Sequence, residues 1–402
     1  MVRFLSFFLV ISWSLAGCGT SDNHSDAGSQ DDAGATDAMP NQDASGIDGG
    51  LTPQSWTLGA HPCLGPRTDA LFCDSELSCF VGCGTDVSGD VGAKKTEDGG
   101  QTWSLVSSLG GVLDTMRVND ISRSSDGLLY LAGAVPGEDF GAASLDSSGT
   151  MRVEWTRGNT VETSFTAGSF RRNSSGFAFI ESLTGSAIVY RNTDNSTWSS
   201  ASGFWDDGDA DDVAGGVQLL QIDEHDGEFY GSGSTIGQSP MVFLGELGAQ
   251  PDFAIVQLAD GASGFDGLLW DLDVTAEGIV AGGVNLDADV GIVFTHANDG
   301  STDVRDPATW QRFDVSTVLT AETSWVQGVC RGVGVMYAVG HADLEPWGFA
   351  LKSTDGGTSF SDVTPYDLSG VSTLESLDAC QVVGTSLVVA GANGQFGVLR
   401  EL

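Results

Sequence analysis

Basic residues are scarce in this chain. Lysine and arginine together number 16 against 55 aspartates and glutamates, so the formal net charge is −39 at pH 7. An acidic surface of this kind repels phosphate backbones, and we therefore expect no nucleic-acid partner. No CxxC pair, Ser-His-Asp set or P-loop motif is visible in the sequence, and the 5 histidines are scattered. The sequence therefore points to no zinc site and no familiar hydrolase.

Helical periodicity is also missing. From residue 54 to residue 402, polar and glycine-rich turns interrupt the chain about every 8–12 residues. This spacing is typical of short strands, so we predict an all-β domain over residues 54–402.

The N-terminus resembles a bacterial lipoprotein signal. Arg3 precedes an apolar run, Phe4 to Leu15, that is too short for an ordinary membrane span and ends in Leu15-Ala16-Gly17-Cys18. The resemblance to a lipobox implies a signal peptide over residues 1–17 and a lipid on Cys18, which would bind the membrane. A plain secretory signal with an incidental cysteine is the alternative. Gly19 does not signal retention in the inner membrane, so we expect the cell envelope, at the outer membrane.

Residues 18–53 have the composition of a tether. They are rich in Asp, Ser, Gly and Ala, and residues 19–53 contain seven aspartates but no lysine or arginine. Such a segment buries too little apolar surface to offset the entropy of ordering. We therefore predict a disordered, acidic, lipidated tether that would hold the folded domain away from the membrane.

A glycine-bearing turn recurs along the rest of the chain. The turn glycines are Gly127, Gly176, Gly227, Gly278, Gly334 and Gly384, at intervals of 49, 51, 51, 56 and 50 residues. Each is followed by a short apolar strand: Leu128–Val135, Phe177–Leu183, Glu228–Ser234, Ile279–Val284, Val335–Gly340 and Ser386–Gly391, with Leu77–Gly82 in the first unit. A period of about 50 residues is that of a propeller blade, and seven units are visible.

A second motif supports this interpretation. Its positions are Thr96, Asp98, Gly100, Thr102 and Trp103, and they recur as Ser353, Asp355, Gly357, Ser359 and Phe360. The aspartate can bond nearby backbone N–H groups, the glycine permits positive φ, and the aromatic residue anchors the next strand. Both runs resemble the Asp-box (BNR) repeat of sialidase-like β-propellers.

The strand that closes the ring is at the opposite end of the chain. Gln54-Ser55-Trp56-Thr57-Leu58 matches residues 101–105 in kind, whereas the last unit stops at Leu402 after three strands. We therefore predict a seven-bladed β-propeller of four-stranded blades, with the N-terminal strand completing the last blade. A six-bladed ring, in which one unit is an insertion, is the alternative.

One face of this propeller carries the candidate site. We name the strands of each blade a to d from the channel outward, and call the face with the b–c and d–a loops the loop face. It is predicted to carry Trp205, Trp270, Trp325, Trp347, Asp343 and Glu345. Aromatic faces beside carboxylates suit sugar rings. The alternative is that these tryptophans pack between blades and the acids are solvated.

Two acidic loops have the alternating oxygen ligands that Ca²⁺ prefers. They are Asp207, Asp209 and Asp211 in one loop and Asn285, Asp287 and Asp289 in the other. Neither has the sixth-position glycine or twelfth-position glutamate of an EF-hand. Calcium is the one cofactor that the sequence suggests, and solvated loops are the alternative.

The cysteines of an exported chain predict disulfides. Cys330 and Cys380 each lie four residues before a turn glycine, so we predict that they bridge neighbouring inner strands. Cys63, Cys73, Cys79 and Cys83 have three possible connectivities. The pair Cys79–Cys83 is disfavoured, because residues i and i+4 of one strand stand ~13 Å apart. Of the other two connectivities, Cys73–Cys79 across the a–b hairpin with Cys63–Cys83 is favoured. Six reduced, buried thiols are the alternative.

Two functional hypotheses remain open. The first is a monomeric binding or scaffold module with a carbohydrate or protein ligand on the loop face. The second is a glycoside hydrolase or lyase that uses loop-face carboxylates. The sialidases that the Asp-box runs resemble clamp their substrate with three arginines. Here Arg123, Arg172 and Arg331 fall near a–b turns, on the opposite face.

Overall fold

The structure, a computed structural model, describes most of the chain after residue 53. The described ranges are 54–63, 68–84, 91–106, 116–124, 126–134, 140–148, 150–156, 167–181, 188–192, 199–201, 217–235, 239–247, 252–258, 265–298, 300–342, 347–366 and 372–401. The predicted signal peptide and tether lie outside them. No helix within these ranges is long and apolar enough to cross a membrane.

The described residues form a seven-bladed β-propeller of four-stranded antiparallel sheets, as predicted. Blade one contains β2 (Thr68–Ser75), β3 (Ser78–Gly84), β4 (Val91–Thr96) and β5 (Ser104–Leu105). Blade two contains β6 (Arg117–Arg123), β7 (Leu129–Ala134), β8 (Phe140–Leu145) and β9 (Met151–Thr156). Blade three contains β10 (Ala167–Arg172), β11 (Gly176–Glu181), β12 (Ile188–Asn192) and β13 (Ser199–Ala201).

The remaining blades follow in chain order. Blade four contains β14 (Val217–His225), β15 (Glu228–Thr235), β16 (Pro240–Glu246) and β17 (Asp252–Gln257). Blade five contains β18 (Gly267–Thr275), β19 (Gly278–Asn285), β20 (Val290–Ala297) and β21 (Gln311–Asp314). Blade six contains β22 (Ser324–Gly332), β23 (Val335–Ala342), β24 (Trp347–Ser353) and β25 (Ser361–Asp362). Blade seven contains β26 (Leu377–Val383), β27 (Ser386–Gly391), β28 (Phe396–Glu401) and, at its outer edge, β1 (Gln54–Leu58).

Strand β1 closes the ring. It pairs antiparallel with β28 over its whole length, from Gln54 opposite Glu401 to Leu58 opposite Gly397. The Trp56 indole N–H donates to the Val363 carbonyl oxygen at 2.8 Å, which ties the closing strand to the connection after blade six. All seven sequence units therefore form blades, and the six-bladed alternative is wrong.

Each inner strand contains an irregularity at a recurring position. The register of strand a against strand b shifts in every blade, for example between Val118 and Asp120 and between Leu269 and Asp271. The extra residue of such a bulge bends the strand. A Cβ placed on Gly133 or Gly283 of the facing strand would lie 1.8 Å from a carbonyl oxygen of strand a. Glycine is therefore required there, which explains the small residues near the ends of the b strands.

The two motif turns have the same hydrogen bonds. Thr102 donates its amide N–H to Asp98 at 2.9 Å and its hydroxyl to the other carboxylate oxygen at 2.6 Å. Ser359 makes the same two bonds to Asp355 at 2.9 and 2.5 Å. Both turns join strand c to strand d, on the face opposite the loop face. These hydrogen bonds lower the pKa of Asp98 to about 2, so the carboxylate is occupied by its own turn.

Three disulfides join cysteines of the described residues, and they are the pairs that the sequence favoured. Cys63–Cys83 and Cys73–Cys79 lie in the first blade and its approach, with Cα–Cα distances of 5.6 and 4.0 Å. Cys330–Cys380 joins the inner strands of blades six and seven, with a Cα–Cα distance of 5.8 Å.

Candidate functional site

Two tryptophans meet at the loop-face end of the channel. Trp270 is the extra residue in the bulge of β18, and Trp325 is the second residue of β22 in the next blade. Their rings stack with centroids 6.1 Å apart and an angle of 18° between planes. His341 of β23 lies on Trp325 with its ring centroid 5.6 Å away. We call Trp270, Trp325 and His341 the aromatic stack.

Polar contacts hold the stack in place. The Trp325 indole N–H donates to Asp289 Oδ1 at 3.0 Å, from the b–c loop of blade five. His341 Nδ1 lies 3.1 Å from Gln327 Nε2 and 3.4 Å from Ser376 Oγ. The Trp270 indole nitrogen is buried and makes no hydrogen bond to any described residue. The stack is therefore pinned at Trp325 and His341, and its Trp270 end lines the channel cavity.

Blade six extends the aromatic surface outward. Trp347 begins β24 and is 39% exposed, and Tyr366 follows β25 and is 48% exposed. The Tyr366 hydroxyl donates to Asp362 Oδ2 at 2.5 Å. Together with Trp325 and His341, these residues place an aromatic ring at the loop-face end of all four strands, although Trp347 lies opposite Ala342 and therefore on the other side of the sheet from His341 and Trp325. Since neighbouring strands lie about 4.8 Å apart, the row runs about 15 Å from channel to rim.

Only some of the predicted site residues fall within the described ranges. Trp205, Asp343, Glu345, Asp207, Asp209 and Asp211 lie outside the described residues. In the second acidic loop, Asn285 Oδ1 accepts the Asp287 and Ala288 N–H groups at 3.0 and 3.3 Å, and Asp287 accepts the Asp266 N–H. With Asp289 bonded to Trp325, each of the three side chains has a protein partner. Among the described residues, no three His, Cys, Asp or Glu side chains lie close enough to hold a metal.

The channel contains charged side chains that the sequence interpretation missed. The inner strands enclose a cavity of about 330 Å³. Within it, Arg171 pairs with Asp120 and with Asp223, its Nε lying 3.0 Å from Asp223 Oδ1. Asp271 and Asp273 lie two residues apart on β18 and also face the cavity. The sequence could have indicated these channel residues, because alternate residues of an innermost strand face the channel.

These carboxylates bond the backbone of the next blade. Asp120 accepts the Phe170 N–H at 3.0 Å, and Asp223 accepts the Val274 N–H at 3.0 Å. Two more such bonds join blades five and six. Asp271 accepts the Val329 N–H at 2.9 Å, and Asp273 accepts the Arg331 N–H at 2.6 Å. The channel acids therefore hold adjacent inner strands together.

Two of these acids hold their protons unusually tightly. Burial raises the pKa of Asp271 to about 7, with a smaller contribution from the negative charge of Asp223. The pKa of Asp273 is also raised to about 7, for the same two reasons and by its neighbour Asp271. The pair therefore gains and loses protons near neutral pH.

We expect this pair to make the domain less stable as the pH rises. Unfolded aspartate has a pKa near 3.9, so the folded state binds more protons between about pH 4 and pH 7 and loses stability across that window. The Asp273→Asn variant removes the charge but keeps an acceptor for Arg331. At about pH 8 its free energy of unfolding should exceed that of the wild type by up to ~4 kcal/mol, so it should melt at a higher temperature. At about pH 4 the variant and the wild type should melt at the same temperature. Equal melting temperatures at both pH values would contradict the assignment.

The fold and the site define a seven-bladed β-propeller with an aromatic loop face. No protein-family model matches the sequence, and no curated protein sequence does either. The chain is similar to the solved structure of YCF48 bound to a D1 peptide, with 13% identity and a TM-score of 0.54 over 86% of this chain and 96% of that one. U3-55K is similar at 11% identity and a TM-score of 0.55, over 86% of this chain and 98% of that one.

A glycoside hydrolase domain is similar to the same degree. The GH74 xyloglucanase of Xanthomonas campestris shares 14% identity and a TM-score of 0.55 over 86% of this chain, which spans 53% of the xyloglucanase chain. At these identities each likeness shows the fold alone.

Proposed function

We propose that this chain is a lipid-anchored binding module of the cell envelope whose ligand is a carbohydrate. The ligand site is the aromatic stack together with Trp347 and Tyr366. The lipobox-like Leu15-Ala16-Gly17-Cys18 supports the anchor, and the two motif turns support an Asp-box propeller. Tyrosine and tryptophan present an apolar ring with a polar edge, which suits a ligand with CH faces and hydroxyls.

The stacked pair Trp270 and Trp325 is the observation that carries this proposal. Two large rings meet at the mouth of the channel, where the residues of a propeller's inner strands converge. Further out on the loop face lies Trp347, which is exposed. Concave sites with aromatic walls and a few fixed polar groups are typical ligand sites.

A glycan array probed with the purified domain tests the proposal. We expect Trp347→Ala to weaken binding to the strongest array hit about tenfold, because one lost stacking contact is worth about 1.4 kcal/mol. The matched control is Leu77→Ala, which truncates a side chain that is 55% exposed at an a–b turn on the opposite face. Both variants should melt as the wild type does.

Two outcomes would overturn this function. One is an array on which the domain binds no glycan. The other is binding that Trp347→Ala and Leu77→Ala reduce equally, since the ligand would then not occupy the aromatic row. Binding to a protein instead of a glycan would support a binding module but overturn carbohydrate as its class of ligand.

A glycoside hydrolase or lyase is the second candidate, and the channel acids favour it. Asp271 and Asp273 lie about 7 Å apart along one strand, within the range of catalytic carboxyl pairs. Their raised pKa values suit a general acid at neutral pH. However, both oxygens of Asp271 and one of Asp273 already accept backbone N–H groups. Release of sugar ends from a polysaccharide by the wild type, but not by Asp273→Asn, would establish the enzyme.

A further inference from the structure

Asp271 connects the two strands that carry the aromatic stack. It directly follows Trp270 in the bulge of β18. One carboxylate oxygen accepts the N–H of Leu272 in the same strand at 2.9 Å. The other accepts the N–H of Val329 at 2.9 Å, on the strand that carries Trp325. A single carboxylate therefore sets the approach of one tryptophan-bearing strand to the other.

A second connection lies on the loop side of the stack. Asp289 accepts the Trp325 indole N–H at 3.0 Å, and its carbonyl oxygen accepts the Ser324 N–H at 3.0 Å. Near the stack, the inner strand of blade six is thus held to blade five at two points. The Asp289 contact fixes the outer end of Trp325, and the Asp271 contact fixes the channel side. Loss of the Asp271 bond would leave the two strands joined at the mouth through Asp289 and, further from the stack, through Asp273 and Arg331.

The Asp271 bonds depend on ionisation. A carboxylate accepts through both oxygens, whereas a carboxylic acid turns one oxygen into a donor. Protonated Asp271 therefore cannot accept both the Leu272 and Val329 N–H groups fully. Burial raises its pKa to about 7, so this change falls within the physiological range.

Several charged or polar groups surround Asp271 in the channel. They are Arg171 from β10, Asp223 and Glu224 from β14, Asp273 from β18 itself, Gln327 from β22, and Asp378 from β26. Arg171 is already paired with Asp120 and Asp223. Burial and the negative charge of Asp223 favour the protonated form of Asp271, whereas the positive charge of Arg171 opposes it.

Blade two provides a contrasting case. Asp120 also follows the extra residue of its bulge and also accepts an N–H from the next blade, that of Phe170. There, however, the Arg171 guanidinium contacts the carboxylate. Among the described residues no lysine, arginine or histidine forms a salt bridge with Asp271. The same bulge position is thus charge-paired in blade two, whereas in blade five it is placed to respond to pH.

We propose that Asp271 is a positioning residue for the aromatic stack, and that its ionised form holds Trp270 and Trp325 in the stacked arrangement. In the free protein, acidification loosens the stack by weakening the Asp271–Val329 hydrogen bond. Insofar as the stack binds the carbohydrate proposed above, ligand affinity falls as the stack loosens. The positioning itself requires no ligand and is tested without one.

The stack has its own optical signal. Two indoles at this separation couple, and the pair gives a split circular-dichroism band that a single tryptophan does not. We expect this band in the free wild-type protein to lose about half its amplitude between about pH 8 and about pH 5.5, with a midpoint near 7. Trp325→Phe, which removes one indole, identifies the band by abolishing it.

Two isosteric variants distinguish the role of Asp271 from that of Asp273. Asp271→Asn cannot ionise, so it should show the weak band of the acid form at every pH. Asp273→Asn is the matched control, because Asp273 is also a buried acid but accepts the N–H of Arg331, further from the stack. It should keep the titration, with a lower midpoint. Far-ultraviolet spectra and melting temperatures verify that both variants fold.

The outcomes distinguish this inference from the proposed function. A band that does not change with pH, or that still titrates in Asp271→Asn, overturns the positioning role. A glycan array without binding leaves a titrating band intact and overturns only the carbohydrate ligand. If Asp273→Asn abolishes the titration and Asp271→Asn does not, the positioning role of Asp271 is wrong.

Discussion

Deletion of residues 54–59 is expected to destabilise the whole propeller. Strand β1 supplies the outer edge of blade seven, so its loss leaves the backbone of β28 unpaired and exposes the apolar surface under Trp56. Truncation of a packed tryptophan alone costs about 3–5 kcal/mol. We therefore expect a fall of at least that size in the free energy of unfolding, measured by denaturant titration. The point variant Trp56→Ala should account for much of it.

The matched control is deletion of residues 19–50. Their composition predicts a tether, so this deletion should leave the melting temperature within about 1 °C of the wild type. The ring-closure interpretation fails if the two deletions are tolerated equally, or if the protein lacking residues 54–59 unfolds at the wild-type denaturant concentration.

Removal of the Cys330–Cys380 disulfide should have the next largest effect. The bond closes a loop of 50 residues and joins two neighbouring blades at the channel. In the chain-entropy model such a loop is worth about 4 kcal/mol. The double variant Cys330→Ala, Cys380→Ala should lose about that much stability in guanidinium chloride, with an unchanged far-ultraviolet spectrum.

The Cys73–Cys79 pair is an internal comparison. It closes a loop of only 6 residues within one hairpin, so the double alanine variant should lose about 2 kcal/mol. Non-reducing peptide mapping of the wild type gives a direct check. A Cys330 peptide that is free, or joined to a first-blade cysteine, would contradict the pairing.

The architecture was predictable because it repeats. A turn glycine returns about every 51 residues, and the ends of each strand predicted after it differ from the observed ends by at most two residues. The closing strand was predictable for the same reason, since residues 54–58 supply what the last unit lacks. The Cys330–Cys380 pair followed from its position relative to those turns, and the first-blade pairs were favoured by the hairpin that contains Cys73 and Cys79. All of these depend on local pattern, which a sequence states directly.

The candidate site was predictable only in part. Trp270 and Trp325 could be assigned to the loop face, but nothing in the sequence showed that they stack. His341 and Arg171 were missed, because their partners lie in other strands or other blades. Asp289 was assigned to a calcium loop, whereas in the structure it accepts a hydrogen bond from Trp325.

The sequence by itself thus determined the number of blades, the strand that closes them and the cysteines that join them. Only the tertiary structure decided which side chains meet across the blades. Trp270 and Trp325 lie 55 residues apart in the chain, yet their rings stack at 6.1 Å. Contacts of this kind depend on how closely two sheets approach around the ring. The pKa of Asp271 depends on the same approach, because burial and the charge of Asp223 come from neighbouring blades.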